Sequence, residues 1–385
     1  MKNNRTFLEK LLDGAEVKWI PLGDVADYEQ PTKYLVNSTV YNDNYPTPVL
    51  TAGKTFILGY TNEDEGIYFA SKSPVIIFDD FTTANKWVDF DFKAKSSAMK
   101  MITSKNEKFA LLKYIYYWLN TLPNNQTDGD HKRQWISNYA NKLIPIPPLP
   151  VQTEIVKILD ALTALTSELT SELILRQKQY EYYREKLLSF DSLEQLNSGG
   201  EKKKLIDVAI YAKSRISTDK LDKENYIGVE NLLQNKLGKT SSNYVPTEGS
   251  FIEYLPNDIL IGNIRPYLRK IWLADKTGGT NGDVLVIRLT DKNIIPRYLY
   301  HILANEHFFE YNVKYSKGAK MPRGDKTAIL QYEFDVPPLE EQQRIVSILD
   351  KFEALTNSIT EGLPLAIEQS QKRYEYYREL LLNFS

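Results

Sequence analysis

A letter-for-letter internal repeat is the feature that most constrains this chain. The hexapeptide YEYYRE occupies residues 180–185 and again residues 374–379. Upstream of it, PPLPVQTEIVKILD (147–160) aligns with PPLEEQQRIVSILD (337–350) at an offset of 190 residues. Two copies are too few for a solenoid, which needs about three stacked units. The sequence therefore predicts one module duplicated in tandem, with approximate two-fold symmetry.

Each copy begins with a globular part that mixes strands with a helix. The apolar runs PVIIF (74–78), DILIG (258–262) and DVLVIRL (283–289) predict strands. The segment GGTNG (278–282) predicts a hairpin connection between two strands. One amphipathic helix is predicted per copy, in EKFALLKYIYYWLN and in IPRYLYHILANEHFFEYN. These two parts are therefore expected to be α+β domains.

Each copy ends in a long helix. From Ile155 onward the apolar residues follow steps of three and four, as in a coiled-coil seam. A helix of about 40 residues spans about 60 Å. In the second copy, Gly362 and Pro364 predict a break between two helical segments. We expect the two long helices to pair antiparallel and to separate the two globular domains, although a plain helical core is the competing interpretation.

Four segments follow from this pattern. We predict a first globular domain at residues 1–146 and a first long helix, acting as a spacer, at 147–196. A linker and the second globular domain occupy 197–336, and the second helical region occupies 337–385. The linker begins with NSGGEKKK, a composition that is typical of flexible connections.

Composition narrows the functions that this chain can have. It contains no cysteine, which excludes disulfide and thiolate chemistry. Its three histidines lack the spacing of zinc ligands, so we expect no metal site. We also expect no catalytic residue and no cofactor of its own. We find neither a signal peptide nor an apolar run of about 18 residues. The expected location is the cytoplasm, without membrane contact.

Basic residues cluster in both globular domains. The whole chain has a net charge of −2, but residues 201–338 carry +4. In the segments 263–270 (NIRPYLRK) and 315–326 (YSKGAKMPRGDK), lysines and arginines alternate with tyrosine, which suits phosphate contacts and base reading, although each run alone is compatible with a solvated surface. In the first domain, DHKR places Arg133 opposite Arg323 at the offset of 190 residues. The candidate DNA-binding residues are Lys132, Arg133, Arg265, Arg269, Lys270, Lys317, Lys320, Arg323 and Lys326.

Two other functions compete with DNA recognition. Asp80, Asp91 and Lys93 follow the spaced arrangement of acids and lysine with which some nucleases bind magnesium. A coiled-coil scaffold without nucleic acid would explain the long helices, but it leaves the paired basic domains unexplained. Paired domains at a fixed separation favour a bipartite DNA target, whose helical turn measures roughly 34 Å.

The motifs together resemble a known family. A PPL motif leading into a heptad helix and a closing YEYYRE, twice around two dissimilar globular domains, is similar to the specificity subunit of type I restriction-modification enzymes. The resemblance covers essentially the whole chain. It implies a non-catalytic subunit in which each target recognition domain reads one half of a split double-stranded DNA site.

The resemblance also implies partner subunits. Two methyltransferase subunits would bind S-adenosylmethionine and methylate one adenine in each half of the site. In the complete enzyme, restriction subunits would use ATP and magnesium. The diverged domains would then read different bases, whereas the repeated helices would meet identical partners.

The repeated hexapeptide is predicted to pack rather than to contact DNA. Its first and third tyrosines fall on the apolar stripe of each helix, so we expect them to serve helix pairing or subunit docking. These residues are Tyr180 and Tyr183 in the first copy, and Tyr374 and Tyr377 in the second.

The two long helices differ in length. Between the PPL motif and the hexapeptide, the first copy is four residues shorter than the second. The shorter copy contains TSELTSEL (166–173), a four-residue unit written twice. Four residues are close to one helical turn, so a further unit would roughly keep the apolar face and lengthen the helix by about 6 Å. We predict that this segment sets the spacing between two half-sites.

Overall fold

The chain folds into two compact units in a computed structural model. Unit 1 joins Met1–Glu168 to Glu368–Ser385, and unit 2 is Leu169–Ile367. Each unit therefore combines one globular domain with parts of both helical regions, a division that differs from the four predicted segments. The structure describes residues 7–53, 55–123, 133–188, 200–358 and 361–384.

Unit 1 contains three small sheets. Its strands are β1 (Lys18–Pro21), β2 (Ala26–Glu29), β3 (Thr47–Leu50), β4 (Ile57–Thr61), β5 (Val75–Asp79), β6 (Asn85–Val88), β7 (Lys93–Ala94), β8 (Met99–Ser104) and β9 (Leu143–Ile146). The sheet orders are β2-β8-β5-β6, β4-β3-β7 and β1-β9. Strand β5 is buried at all of its residues because it lies between two neighbours, which explains the unbroken apolar run in its sequence.

Short helices cover the sheets of unit 1, and one long helix leaves it. They are α1 (Phe7–Leu12), α2 (Leu22–Val25), α3 (Leu112–Leu119) and α4 (Gln134–Ser137), and the long helix is α5 (Leu149–Leu187). The buried face of α3 includes Tyr114, Ile115 and Tyr117, which join a core with β5 and β8. The same core includes Leu381 and Leu382 from the end of the chain.

Unit 2 repeats the main sheet of unit 1. Its strands are β10 (Glu201–Lys204), β11 (Ala209–Tyr211), β12 (Arg215–Ser217), β13 (Tyr226–Ile227), β14 (Ser250–Tyr254), β15 (Ile259–Gly262), β16 (Ile271–Leu273), β17 (Gly278–Thr280), β18 (Val284–Leu289) and β19 (Glu333–Val336). The order β11-β18-β15-β16 corresponds to β2-β8-β5-β6, and the pair β10-β19 corresponds to β1-β9. A further sheet has the order β12-β14-β17-β13.

The predicted hairpin at GGTNG is wrong. Gly278–Thr280 is itself the strand β17, which pairs with β13 and β14, while β16 and β18 lie on either side of β15. Glycine is needed here for close packing rather than for a turn. A β-carbon on Gly278 would lie 2.1 Å from the carbonyl oxygen of Asn225.

The second predicted amphipathic helix is two helices. The helices of unit 2 after α5 are α6 (Leu205–Val208), α7 (Pro296–Leu303), α8 (Glu306–Lys314), α9 (Lys326–Leu330) and α10 (Leu339–Asn357). Asn305 separates α7 from α8 because its side-chain oxygen accepts a hydrogen bond from the His307 N–H at 3.1 Å. An asparagine in this position caps and starts a new helix.

The long helical regions pair within each unit. The last helix, α11 (Gly362–Leu382), begins at the predicted break, where Gly362 has a φ of +75°. In unit 1, the Thr166 hydroxyl lies 2.8 Å from that of Ser370, whereas Ile155 shares a core with Leu381, so α5 and α11 run in opposite directions there. In unit 2, the rings of Tyr180 and Tyr183 stack on Phe352 of α10 at centroid distances of 6.0 and 5.7 Å.

A buried glutamine joins each globular domain to its helix. The Gln152 side chain accepts from the Leu111 N–H at 2.9 Å and donates to the carbonyls of Phe109 and Pro147 at 2.9 and 2.8 Å. Gln342 makes the same three bonds in the second copy, with Ile295, Asn293 and Pro337. The glutamine amide thus binds the carbonyl of the first proline in the PP motif and two backbone groups of the loop before the domain helix.

These observations confirm the predicted fold class. Two α+β domains stand in tandem in the chain, and the long helix α5 lies between them in sequence. Within the described residues, no helix has both the length and the apolar character that crossing a membrane requires.

Because of the glutamine contact, replacing Gln342 should destabilise the fold more than replacing its neighbour Gln343. Gln342→Ala removes three hydrogen bonds and leaves the partly buried N–H of Ile295 without this partner, which should lower the free energy of unfolding by about 2–4 kcal/mol. Gln343 is exposed, so Gln343→Ala is the matched control and should have little effect. Urea unfolding of the full chain measures both changes, and equal losses would contradict the assignment.

Candidate nucleic-acid interface

The structure brings the two predicted basic segments of the second domain together. The Arg265 N–H donates to the Pro322 carbonyl at 2.7 Å, and the Gly324 N–H donates to the Asn263 carbonyl at 3.2 Å. Lys317 and Arg323 exchange two backbone hydrogen bonds of 2.9 Å, which fold the second segment back on itself. The turn that follows β15 and the segment 315–326 therefore form one surface.

The basic side chains on this surface differ in their protein partners. Arg265, Lys320 and Arg323 are exposed, and Nε and Nη2 of Arg323 donate to the Asp283 carboxylate at 3.4 and 3.3 Å. Lys317 pairs with Asp325, whose pKa is lowered by that hydrogen bond and by the N–H groups that it accepts. Asp325 accepts from the N–H groups of Thr327 and Ala328, so it caps α9. The acid in the basic segment therefore has a structural role.

The remaining DNA-binding candidates of the second domain differ in whether their side chains already contact protein groups. Arg269 pairs with Glu306, and the Lys270 ammonium donates to the Val229 carbonyl at 2.6 Å. Burial lowers the pKa of Lys270. Lys326 is exposed at the start of α9. Arg269 and Lys270 thus already contact protein groups, whereas Lys326 extends the open basic surface.

The first domain presents Arg133 in a corresponding position. Arg133 is exposed, and the next residue, Gln134, donates its N–H to the Asp80 carbonyl at 2.8 Å. Asp80 directly follows β5, as Asn263 directly follows β15, and Gly324 is bonded to Asn263 in the same manner. Arg133 and Arg323 therefore precede equivalent contacts on equivalent strands. Lys132, the other candidate of this domain, lies outside the described residues.

The three residues of the nuclease alternative have separate structural partners. Asp80 is buried, pairs with Lys100 at 3.7 Å and accepts from the Trp135 N–H at 2.8 Å. The Asp91 carboxylate accepts two hydrogen bonds from Ser71, which lower its pKa.

Lys93 forms an ion pair with Glu63 at 3.0 Å and also donates to the Glu65 carbonyl at 2.6 Å. The three side chains thus make no contact with one another, and each stabilises a different part of the fold. The magnesium site that the spacing suggested is not formed.

One group in the described part of the chain has the side chains of a metal site. It consists of His301, Asp350 and Glu353. Arg297 donates to Asp350 at 2.8 Å and to Glu353 at 2.9 Å, so a guanidinium already balances both carboxylates. Burial alone would raise the pKa of Asp350, but hydrogen bonds from His301 and Arg297 lower it. Burial also lowers the pKa of His301, although its hydrogen bond to Asp350 acts in the opposite direction.

The corresponding residues of the first copy show the structural role of the group around His301 and Asp350. Tyr117 and Asp160 occupy the positions of His301 and Asp350 in the repeat, and the Tyr117 hydroxyl donates directly to the Asp160 carboxylate. Lys113 lies 3.5 Å from Asp160, as Arg297 lies beside Asp350. In both copies the group joins a domain helix to the start of a long helix, which identifies it as a packing contact.

The hexapeptide tyrosines differ in exposure, and Tyr183 is exposed although its ring stacks on Phe352. Tyr180 is buried, and burial raises its pKa to about 12. The Tyr374 ring lies 6.4 Å from Tyr117, and Tyr377 packs against the same core. The second tyrosine of each copy was not among the predicted residues, yet Tyr182 is 58% exposed and Tyr376 is 61% exposed.

Sequence reasoning missed three residues that hold the basic segment of the second domain. Asp283 contacts Arg323, and the buried side chains of Asn263 and Asn312 lie against Gly324. Each is distant in sequence from at least one residue that it contacts, so local charge patterns do not reveal it. Asp283 ends the segment GGTNGD, and nothing in that segment indicates that the folded chain places it beside Arg323.

Comparisons with known proteins agree with this arrangement. The family model described as the type I restriction modification DNA specificity domain matches residues 15–176 and again 197–369. The EcoR124I/EcoR124II type I restriction enzyme specificity subunit of Escherichia coli is 50% identical over 394 aligned residues, covering 98% of this chain and 97% of that one.

More distant relatives extend the similarity. A putative type I restriction enzyme specificity subunit of Haemophilus influenzae, S.HindORF215P, is 38% identical over the full length of both chains. The crystal structure of a type I restriction-modification S subunit from M. genitalium shares the fold with a TM-score of 0.64 at 14% identity, covering 97% of this chain and 98% of that one.

The packing around Gly324 predicts how the basic segment can be displaced. A β-carbon on Gly324 would lie 2.4 Å from Asn312 Oδ1 and 2.9 Å from Asn263 Oδ1, so Gly324→Ala must move the segment or these buried amides. We expect faster amide hydrogen exchange across residues 315–326 in this variant. Gly282→Ala is the control, since nothing lies within 4 Å of its added carbon. Unchanged exchange in Gly324→Ala would refute this account of the segment.

Proposed function

Because this chain belongs to the type I restriction-modification DNA specificity family, we propose that each of its two globular domains reads one half of a bipartite DNA site. It is a non-catalytic specificity subunit with two tandem DNA specificity domains. The observation that carries the proposal is the equivalent placement of Arg133 and Arg323 beside the central strand of each domain. The domains have diverged elsewhere, as expected if they read different bases.

The basic residues suit two kinds of DNA contact. Lysines such as Lys320 and Lys326 neutralise phosphates, which positions the protein on the duplex without selecting a sequence. An arginine can donate two hydrogen bonds to one guanine edge in the major groove, which does select a sequence. The rigid attachment of the Arg323 segment through Gly324 favours this second role for Arg323.

The repeated helices are proposed to dock two methyltransferase subunits. Tyr182 and Tyr376 support this role, because both are exposed and both occupy the same position of an identical hexapeptide. Identical surfaces suit identical partners. S-adenosylmethionine, ATP and magnesium would be bound by the methyltransferase and restriction subunits, and the complex would work in the cytoplasm.

Substituting the two arginines separately tests the recognition proposal. In complex with its methyltransferase, Arg323→Ala should weaken or relax recognition of one half-site, and Arg133→Ala should do so for the other half-site, by about 1–3 kcal/mol each. Sequencing of methylated adenines, together with binding to duplexes that carry single base changes, measures both effects.

The arginine test needs a control for charge alone. Arg344→Ala removes an exposed arginine on α10, whose partner is Glu341, and should leave both half-sites unchanged. Both arginine variants should still assemble with the methyltransferase. If the two variants affected the same half-site, or neither one, the assignment of one arginine to each domain would be wrong.

The segment TSELTSEL is proposed to set the spacing between the half-sites. It lies within α5, and the boundary between units 1 and 2 falls inside it, between Glu168 and Leu169. Inserting one further TSEL should change the gap between the half-sites by about one or two base pairs, since four residues add about 6 Å of helix.

The control for this insertion keeps the length of α5 and replaces one side chain within TSELTSEL. Ser171 is exposed, so Ser171→Ala should leave the spacing unchanged. Mapping methylated sites in cells that carry each variant measures the gap. The spacer role is disproved if the insertion alters the recognised halves instead of the gap.

A further inference from the structure

A short strained turn follows the central strand of the first domain. The turn between β5 and β6 is closed by Asp79, whose carboxylate accepts the N–H groups of Phe81 and Thr82 at 2.9 and 3.3 Å. Thr83 is buried and has a φ of +63°, which is rare for a β-branched residue. Such a conformation persists only where the surroundings hold it, and it is frequent at functional sites.

This turn corresponds to the basic turn of the second domain. Strands β5 and β15 occupy the same place in equivalent sheets, and the turns that follow them lead into β6 and β16. Asp80 and Asn263 bind the segments of Arg133 and Arg323 through equivalent backbone bonds. The second domain carries Arg265 in its turn, whereas residues 81–84 of the first domain carry no charged side chain.

The exposed side chains of the first turn are apolar or bear a methyl group. Phe81 is 43% exposed, and Thr82 is also exposed. Both backbone N–H groups are held by Asp79, so these side chains project from a fixed turn. In the major groove, phenylalanine and the methyl group of threonine contact the 5-methyl group of thymine, which is the apolar feature that distinguishes an A·T pair there.

We propose that Phe81 and Thr82 contact the 5-methyl group of a thymine in the half-site that the first domain reads. The inference rests on the proposed function and names a specificity-determining contact within it. The second domain would make a polar contact through Arg265 at the corresponding place. The two half-sites would therefore differ in the chemistry of recognition as well as in sequence.

Removing a single methyl group from the DNA tests this contact. The complex with methyltransferase subunits is used, and the half-site of the first domain is identified as the one affected by Arg133→Ala. Each thymine of the mapped site is then replaced in turn by deoxyuridine, which lacks only the 5-methyl group. We expect one position in that half-site to weaken binding by about fourfold, the factor for one apolar carbon removed from water.

Protein variants separate this contact from other effects of deoxyuridine. Phe81→Ala should weaken binding to the thymine duplex and lose the difference between thymine and deoxyuridine, while Phe81→Leu should keep part of that difference. Phe69 is 52% exposed in the same unit, so Phe69→Ala is the matched control and should behave as the original chain. Melting temperatures of the variants check that each one folds.

The outcomes distinguish this inference from the proposed function. If no thymine of that half-site responded to deoxyuridine, or if Phe81→Ala kept an undiminished response, the thymine contact would be overturned and bipartite recognition would remain intact. If Arg133→Ala affected neither half-site and no sequence-specific methylation were found, both proposals would fall together.

Discussion

One buried glutamine in each copy holds the rest of the structure together. Gln152 and Gln342 bind the loop before a domain helix and the first proline of the PP motif, which precedes a long helix. Without this side chain, the direction in which α5 or α10 leaves its domain would depend on apolar packing and on the polar contacts of Asp160 or Asp350. Hydrogen bonds that are buried and fully paired specify geometry more narrowly than apolar contacts do. The glutamine therefore narrows where each domain stands relative to the helix that begins beside it.

The repeated parts of the fold could be predicted, and the reason is physical. Motifs such as PPL and YEYYRE stay alike because they pack against the same kinds of neighbour in each copy, so their periodicity is preserved in sequence. The strand β17 could not be predicted, because its glycines are selected by close contacts with residues distant in sequence. The end of α7 was missed because Asn305 resembles an ordinary helix residue until its capping bond is seen.

The candidate site was predictable only where charge is local. Runs of lysine and arginine identified the segments around Arg265 and Arg323, which the structure joins through backbone bonds. Composition could not show that Arg269 is paired with Glu306, or that the Lys270 ammonium is bound to a carbonyl. The turn that holds Phe81 carries no basic residue, so a search for lysine and arginine passes over it. Only the equivalence of the strands β5 and β15 reveals its position.

The discontinuity of unit 1 has a consequence for biosynthesis. Unit 2 is a continuous stretch, Leu169–Ile367, whereas unit 1 requires Glu368–Ser385 in addition to Met1–Glu168. Domains commonly fold in order as the chain leaves the ribosome. Here the domain that is translated first must await residues translated after the whole of unit 2. The core around Leu381 and Leu382 is therefore completed last, so premature termination would leave the earlier-made domain unfinished and its apolar surface open to chaperones.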